Sequence, residues 1–271
     1  MARRAVPFLL LLLAATGWAD RARVVRRFSQ PPPARNILWI AAHPDDELLA
    51  APVLALFCRE QNARCTIAVA TKGERGTCEL PSCGTDLGAL REQELRASAA
   101  LFSASVIAGS FPDGTSWSPQ DVLVRWNAAD PSVRDFIESI LAQVQPDLVL
   151  TLDPRHGSTC HPDHRAIGRA VIEVCAERGI PAGVIPTRAK IVGAWDAVMI
   201  DPHLARTDFI VDAGRSPEHA SRWDSLTAVA RTHASQFSTR TVEALERVPN
   251  ERRRVGIDLL ETAPTADECV P

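Results

Sequence analysis

The chain has 271 residues, 46% of them hydrophobic and 23% charged, which suits one globular domain with a sizeable core. A net charge of -3 lacks the basic excess of a nucleic-acid-binding protein. Aromatics are only 5% and Tyr is absent, so a stacking platform for bases or long glycans is not indicated, although six Trp are available.

Arg3 and Arg4, the apolar run 5–15 with leucine from Leu9 to Leu13, and the small residues Gly17 and Ala19 form a secretory signal pattern over 1–19, with cleavage expected near Ala19. The run is shorter than the roughly 20 residues a membrane-spanning helix needs. An uncleaved anchor is the competing reading, and no stable membrane insertion is expected after cleavage. Residues 20–35, with Arg21, Arg23, Arg26, Arg27 and Pro31–Pro33, read as an extended linker ahead of a single domain over 36–271.

The first predicted strand is the apolar run 36–42, continuous enough to be buried on both faces. A helix over 45–58 and a second buried strand over 65–70 follow. Residues 71–88 carry Gly73, Gly76, Gly84 and Gly88 and read as a long functional loop. A helix over 90–102, a strand over 105–108, a helix over 133–144, a strand over 147–152 and a helix over 163–178 continue the alternation. Strands over 191–200 and 208–212 and a helix over 218–233 complete it. Alternation of this kind implies a parallel sheet with helices on both faces and a ligand site beyond the carboxyl ends of the strands.

Seven cysteines fit an oxidising compartment. Cys58 with Cys65, and Cys78 with Cys83, are each placed to close locally. Cys160, Cys175 and Cys269 leave one thiol odd, and spacing alone does not fix the connectivity.

Two clusters carry chemistry: His43-Pro44-Asp45-Asp46 after the first strand and His161-Pro162-Asp163-His164 after the fourth. Three histidines and three aspartates exceed the three ligands a hydrolytic zinc site takes from protein. A lone His-Pro-Asp could be a turn in which Asp45 or Asp163 caps the next helix. Two copies at equivalent strand ends favour a site, because buried carboxylates need partners. Cys160 is a competing thiolate ligand.

These clusters resemble the LmbE/PIG-L family of zinc-dependent N-deacetylases. Thr71-Lys72-Gly73-Glu74-Arg75-Gly76, Arg91-Glu92-Gln93-Glu94-Leu95, Phe111-Pro112-Asp113-Gly114 and His233-Ala234-Ser235-Gln236 resemble further family blocks in the same order. The resemblance implies an α/β, Rossmann-like three-layer sandwich with a mostly parallel central sheet. It implies His43, Asp46 and His164 as ligands of zinc, with iron(II) or another divalent metal as alternatives. Asp45 is implied as general base, His161 as oxyanion partner, expected as a protonated imidazole, and Asp163 as the group that tunes a histidine. Glu74, Arg75, Arg91, Asp113 and His233 are candidate substrate contacts. The expected reaction is removal of an acetyl group from an N-acetylglucosamine-type amino sugar or glycoside by a secreted or periplasmic enzyme. An amidase for an acylated thiol conjugate, lipid or antibiotic, and a non-catalytic sugar-binding relative, are the alternatives. Oligomeric state is left open. Residues 71–88 and 111–130, including Trp117 and Trp126, are expected to shape the pocket.

Overall fold

A computed structural model describes residues 34–192, 197–201, 207–215 and 220–269. The signal pattern, most of the linker and His203 lie outside the described residues. The described strands are β1 (Asn36–Ala41), β2 (Arg64–Thr71), β3 (Ser105–Phe111), β4 (Leu148–Leu152), β5 (Ala182–Ile185), β6 (Arg188–Val192), β7 (Ala197–Asp201), β8 (Phe209–Asp212) and β9 (Arg254–Leu259). The helices are α1 (Glu47–Leu54), α2 (Leu87–Ala100), α3 (Pro119–Asn127), α4 (Val133–Val144), the single turn α5 (Gly157–Cys160), α6 (Pro162–Arg178), α7 (Trp223–Thr232) and α8 (Thr239–Glu246).

Seven strands form one sheet in the order β3-β2-β1-β4-β5-β9-β8. The first five are parallel, and β9 runs antiparallel to both β5 and β8. Helices cover both faces, which is the expected three-layer α/β architecture. All six residues of β1 are buried, and its apolar run pairs with β2 on one side and β4 on the other. An apolar strand of this kind belongs at the centre of a sheet covered on both faces. Strand order reverses at β1, so a crevice opens beyond the carboxyl ends of β1 and β4, where ligands bind in such sheets. Both histidine clusters follow those two ends.

Local signals explain the clean elements. Helix α4 starts with a capping box, Ser132 with Asp135, and ends on Gln145 in the left-handed region. Elsewhere the pattern misled. Helix α1 holds Pro52 and passes into a π-helical segment, Ala55–Glu60, so the expected helix over 45–58 is two pieces. The strand expected over 191–200 is instead the antiparallel pair β6 and β7. The region 111–130 contains helix α3, capped by Ser118, and its Trp126 is buried with the indole N–H donating to Pro112 O at 3.0 Å. Trp117 is 98% exposed and does not line the site cavity. The structure adds β5, β9 and α8, which lie outside the predicted elements. No helix among the described residues is long and apolar enough to cross a membrane.

The two local cysteine pairs stand at disulfide distance, as does Cys160 with Cys269, with Cα separations of 5.9, 6.3 and 5.7 Å. Cys175 is the odd, buried thiol. Cys160 is therefore engaged with sulfur and is not a ligand candidate.

Helix α6 delivers His164 to the crevice by pressing its backbone onto the end of β4. A Cβ at Gly168 would lie 2.2 Å from Leu152 O. Gly168→Ala is expected to destabilise the chain by about 2 kcal/mol through overpacking, measured by denaturant unfolding; an unchanged midpoint would refute the close approach.

Candidate active site

His43 leaves the end of β1, and Asp46 turns back toward it. Asp46 Oδ2 accepts the N–H groups of Ala42 at 3.0 Å and His43 at 2.8 Å, so this aspartate fastens the strand end and does not cap α1. Its other oxygen, Oδ1, lies 3.0 Å from His164 Nε2. His43 Nδ1 lies 2.9 Å from His164 Nε2 and 3.7 Å from Asp46 Oδ2. The outward nitrogens are committed elsewhere. His164 Nδ1 donates to Gly157 O at 2.7 Å, and His43 Nε2 faces Asp113 Oδ1 at 3.0 Å and Asp163 Oδ2 at 3.4 Å.

That arrangement aims two imidazole lone pairs and a carboxylate oxygen at one point. With both rings neutral and their outward nitrogens protonated, the inward nitrogens turn lone pairs on each other, a geometry that a cation between them satisfies; a second proton on His43 satisfies it as well, with Nδ1–H donating to His164 Nε2. Ligands about 2.0 Å from a tetrahedral zinc are separated by roughly 3.3 Å. The separations here fit that edge, and a carbonyl or carboxylate behind each imidazole is the usual support of a metal-ligating histidine. His43, Asp46 and His164 could thus hold a divalent metal. The His43, His161 and His164 nitrogens, and the His43, Asp113 and Asp163 atoms, also form clusters within ligand reach.

Electrostatics separates the neighbours. Burial opposes the Asp46 charge, but His164 and His43 outweigh it and hold the carboxyl well below the usual range. Burial likewise opposes the charge of Asp113, yet its hydrogen bond to His43 brings it down to about 2. Burial opposes a proton on His43, while Asp113, Asp163 and Asp46 drive it up to about 10.

Asp45 differs from Asp46. Burial, aided by the adjacent Asp46 charge, raises its pKa against the attraction of Arg91. Its φ of 113° is a strained conformation for a residue with a Cβ. Two groups hold it there. Glu47 Oε2 accepts the Asp45 N–H at 3.1 Å, and Arg91 Nη2 pairs with Asp45 Oδ2 at 3.0 Å. The same guanidinium donates to Pro44 O at 2.5 Å and Gly73 O at 2.8 Å. Arg91 is thus a buried clamp, where a substrate contact was expected.

His161 caps α6: its Nδ1 accepts the Asp163 N–H at 3.2 Å. Burial and the His164 and His43 rings push its pKa down to about 4, so at neutral pH the ring is uncharged and its proton sits on Nε2. With Nδ1 accepting the Asp163 N–H, the ring turns an Nε2–H donor outward. Asp163 lies in the first turn of α6, accepts the Gly114 N–H at 2.9 Å, and approaches His43. The histidine it serves is therefore His43.

Two other expected contacts lie away from the cavity. His233 is fully buried beneath it; Nε2 meets Glu47 Oε1 at 2.5 Å and Nδ1 faces Glu94 Oε2 at 3.8 Å. Burial opposes its charge, but Glu47 and Glu94 outweigh that and raise it to about 10. Glu74 is exposed, with Oε1 accepting the Asp113 N–H at 3.4 Å. Arg75 is exposed at the rim and lines the cavity; its N–H holds Asp113 Oδ2 at 2.8 Å.

The cavity has a volume of about 330 Å³ and brings together His43, Asp45, Asp46, Arg91, Asp113, His161 and His164. That is the lower end of small-molecule sites. Leu48, Leu49 and Phe237 supply apolar wall, and Ser158, Thr159 and Gln236 polar wall. Ser158 and Thr159 belong to no motif, so nothing in the sequence marked them.

Comparison with known proteins follows the same lines. Residues 38–175 match the family described as PIG-L: GlcNAc-PI de-N-acetylase. A probable N-acetyl-alpha-D-glucosaminyl L-malate deacetylase 2 of Bacillus cereus is 31% identical over 171 residues, 60% of this chain and 74% of that protein. The N,N'-diacetylchitobiose deacetylase of Pyrococcus horikoshii has a similar fold, with a TM-score of 0.58, 21% identity and 84% of each chain covered. So does the 4-carboxy-2-hydroxymuconate hydratase of Pseudomonas putida, with a TM-score of 0.55, 19% identity, and 87% of this chain and 99% of that one covered.

Arg91→Gln strips a buried carboxylate of its counter-ion and two carbonyls of their donor. A stability loss of about 3 kcal/mol is expected, with thermal and denaturant unfolding as the check; a loss below about 1 kcal/mol, the range of surface pairs, would place Arg91 outside any clamp.

Proposed function

The chain belongs to the PIG-L family of de-N-acetylases, and from that premise we propose that it is a metal-dependent hydrolase that removes the acetyl group from an N-acetylglucosamine-type amino sugar or glycoside. The observation that carries the reading is that His43 Nδ1 and Asp46 Oδ1 both approach His164 Nε2, at 2.9 and 3.0 Å, beside Asp45 and His161 in the cavity. The fold alone would not suffice, since it also serves a hydratase.

His43, Asp46 and His164 hold the metal, and zinc suits two imidazoles and a carboxylate best, with iron(II) as the other candidate. A divalent cation bound there polarises a carbonyl and lowers the pKa of a water toward neutrality. Asp45 takes a proton from water as the water oxygen bonds to the amide carbon. A carboxylate whose pKa is raised by burial suits that exchange near neutral pH. His161 Nε2–H donates to the carbonyl oxygen as it gains negative charge. Collapse breaks the C–N bond, Asp45 returns its proton to the amine nitrogen, and acetate leaves. Asp163 and Asp113 keep His43 turned so that Nδ1 faces inward.

The cavity size supports one sugar ring in the site, with the remainder of a glycoside passing the Arg75 rim. The sugar portion of the curated relatives' named substrates supports a glycoside of N-acetylglucosamine. The Arg3-Arg4 and leucine pattern, together with three cysteine pairs at disulfide distance, supports secretion.

Three measurements test this reading. Acetate release from N-acetylglucosaminides is expected to vanish on chelation and return with zinc. Asp45→Asn is expected to lower the rate by about 10²- to 10⁴-fold with metal content unchanged; a metal-loaded variant at full rate would exclude Asp45 as base. N-terminal sequencing of exported protein is expected to begin near Asp20, and an intact N-terminus would refute cleavage.

A further inference from the structure

We propose that the Cys160–Cys269 crosslink is a positioning device for the site, bracing a strained loop that sets both His161 and His164. The proposal rests on the metal site of that reading in both arms, and its activity arm rests in addition on the acetylated-sugar reaction.

The loop 157–161 is unusual backbone. Gly157, Ser158 and Cys160 have φ of 51°, 64° and 63°, and two of these three carry a Cβ, which disfavours that region. The strain has a location. Gly157 is pressed so tightly against α6 that a Cβ there would meet His164 Cβ at 2.7 Å. Its carbonyl accepts the His164 Nδ1–H at 2.7 Å, which turns Nε2 to the metal point. Thr159 and Ser158 line the cavity, and His161 follows Cys160 directly. A relaxation of this loop therefore moves the support of a metal ligand and the oxyanion donor together.

From inside, the loop is held by its own contacts. Asp153 O accepts the Gly157 N–H at 2.6 Å, His156 O accepts the Cys160 N–H at 2.7 Å, and His156 Nδ1 accepts the Ser158 N–H at 3.0 Å. From outside, the only covalent hold among the described residues is the bond to Cys269, 109 residues away. The segment bearing Cys269 is itself anchored over the loop. Glu268 donates its N–H to Arg155 O at 3.0 Å and pairs with Arg188, and Asp267 pairs with Arg165 at 2.7 Å. Arg165 is the residue after His164. The C-terminal segment thus grips the loop through Cys160 and the helix start through Arg165.

The test removes both sulfurs, because a single free thiol beside His161 could itself bind metal. C160A/C269A is compared with the parent and with C58A/C65A, whose bond lies at the amino end of β2, across the sheet from the site. Zinc affinity is read by chelator competition, and kcat and KM on an N-acetylglucosaminide, all below the melting temperature of each variant. The expected result is about tenfold weaker zinc binding and about tenfold lower kcat, with KM within roughly threefold, as for loss of a group supporting a metal ligand. C58A/C65A is expected to match the parent in all three. A folded C160A/C269A with zinc affinity and kcat within roughly twofold of the parent overturns the proposal, whatever its melting temperature. A parent that binds zinc but turns over no acetylated sugar counts against the reaction, and the zinc arm then decides the brace alone. If C160A/C269A does not fold, Asp267→Asn leaves the cysteines in place and is expected to weaken zinc binding about threefold, below the range for a direct support; no change overturns the proposal.

Discussion

Two imidazole nitrogens, one on His43 and one on His164, are held 2.9 Å apart with the opposite nitrogen of each ring already committed. A cation between the rings, or a second proton on His43, satisfies that contact, and the surrounding side chains hold both rings in place for it. Asp113 and Asp163 hold one ring from behind, and the Gly157 carbonyl holds the other. Asp46 completes the set because two backbone N–H groups at the end of β1 fix its second oxygen. The strand order places β1 beside β4, so residues 121 apart in sequence meet where that order reverses.

Imposing such a contact costs conformational freedom, and the structure concentrates the cost in two short segments. Asp45 and the loop 157–161 adopt backbone conformations that side-chain-bearing residues avoid. Each is over-determined by its neighbours. Arg91 fastens Pro44, Gly73 and Asp45 in one grip, while Glu47 takes the Asp45 N–H and is itself paired with buried His233. These buried charges do little for stability in isolation, since desolvation offsets much of their attraction. Their consequence is geometric: Asp45 has one position.

The parts of this legible in sequence were those with a local physical signature. A continuous apolar run such as 36–41 fits only a strand covered on both faces, and the repeated His-Pro-Asp at two strand ends marked both halves of the site. What stayed hidden depended on long-range contacts. His233 read as a substrate contact because charge in a motif says nothing of burial, and only packing shows it away from the cavity, while Arg91 lines the cavity and also clamps the backbone beside it. Glu74 lies beside Arg75 yet faces solvent, because a turn sends neighbours in different directions. Trp126 went into the core because it shares a buried face of α3 with Val122, while Trp117 precedes the helix and stays in solvent. The pairing of Cys160 with Cys269 spans 109 residues and has no local signature. The antiparallel pair β6 and β7 reads as one strand because Ile191-Val192 and Ala197–Ile200 are both apolar and lie close in sequence.

The most telling case is the adjacent pair Asp45 and Asp46, identical in type and joined by one peptide bond. Burial acts on both in the same sense, raising the pKa. For Asp46 the imidazoles of His164 and His43 and two backbone N–H groups reverse it, leaving a carboxylate that stays ionised and immobile. For Asp45 the attraction of Arg91 does not overcome burial and the charge next door, so its proton affinity rises toward the working range. Opposite environments for twin carboxylates are how a single fold assigns one to hold charge and the other to exchange protons. Here the division follows from the turn itself: the positive φ at Asp45 points its side chain away from Asp46, toward Arg91 and the cavity, so the strain is what makes two neighbouring aspartates chemically different.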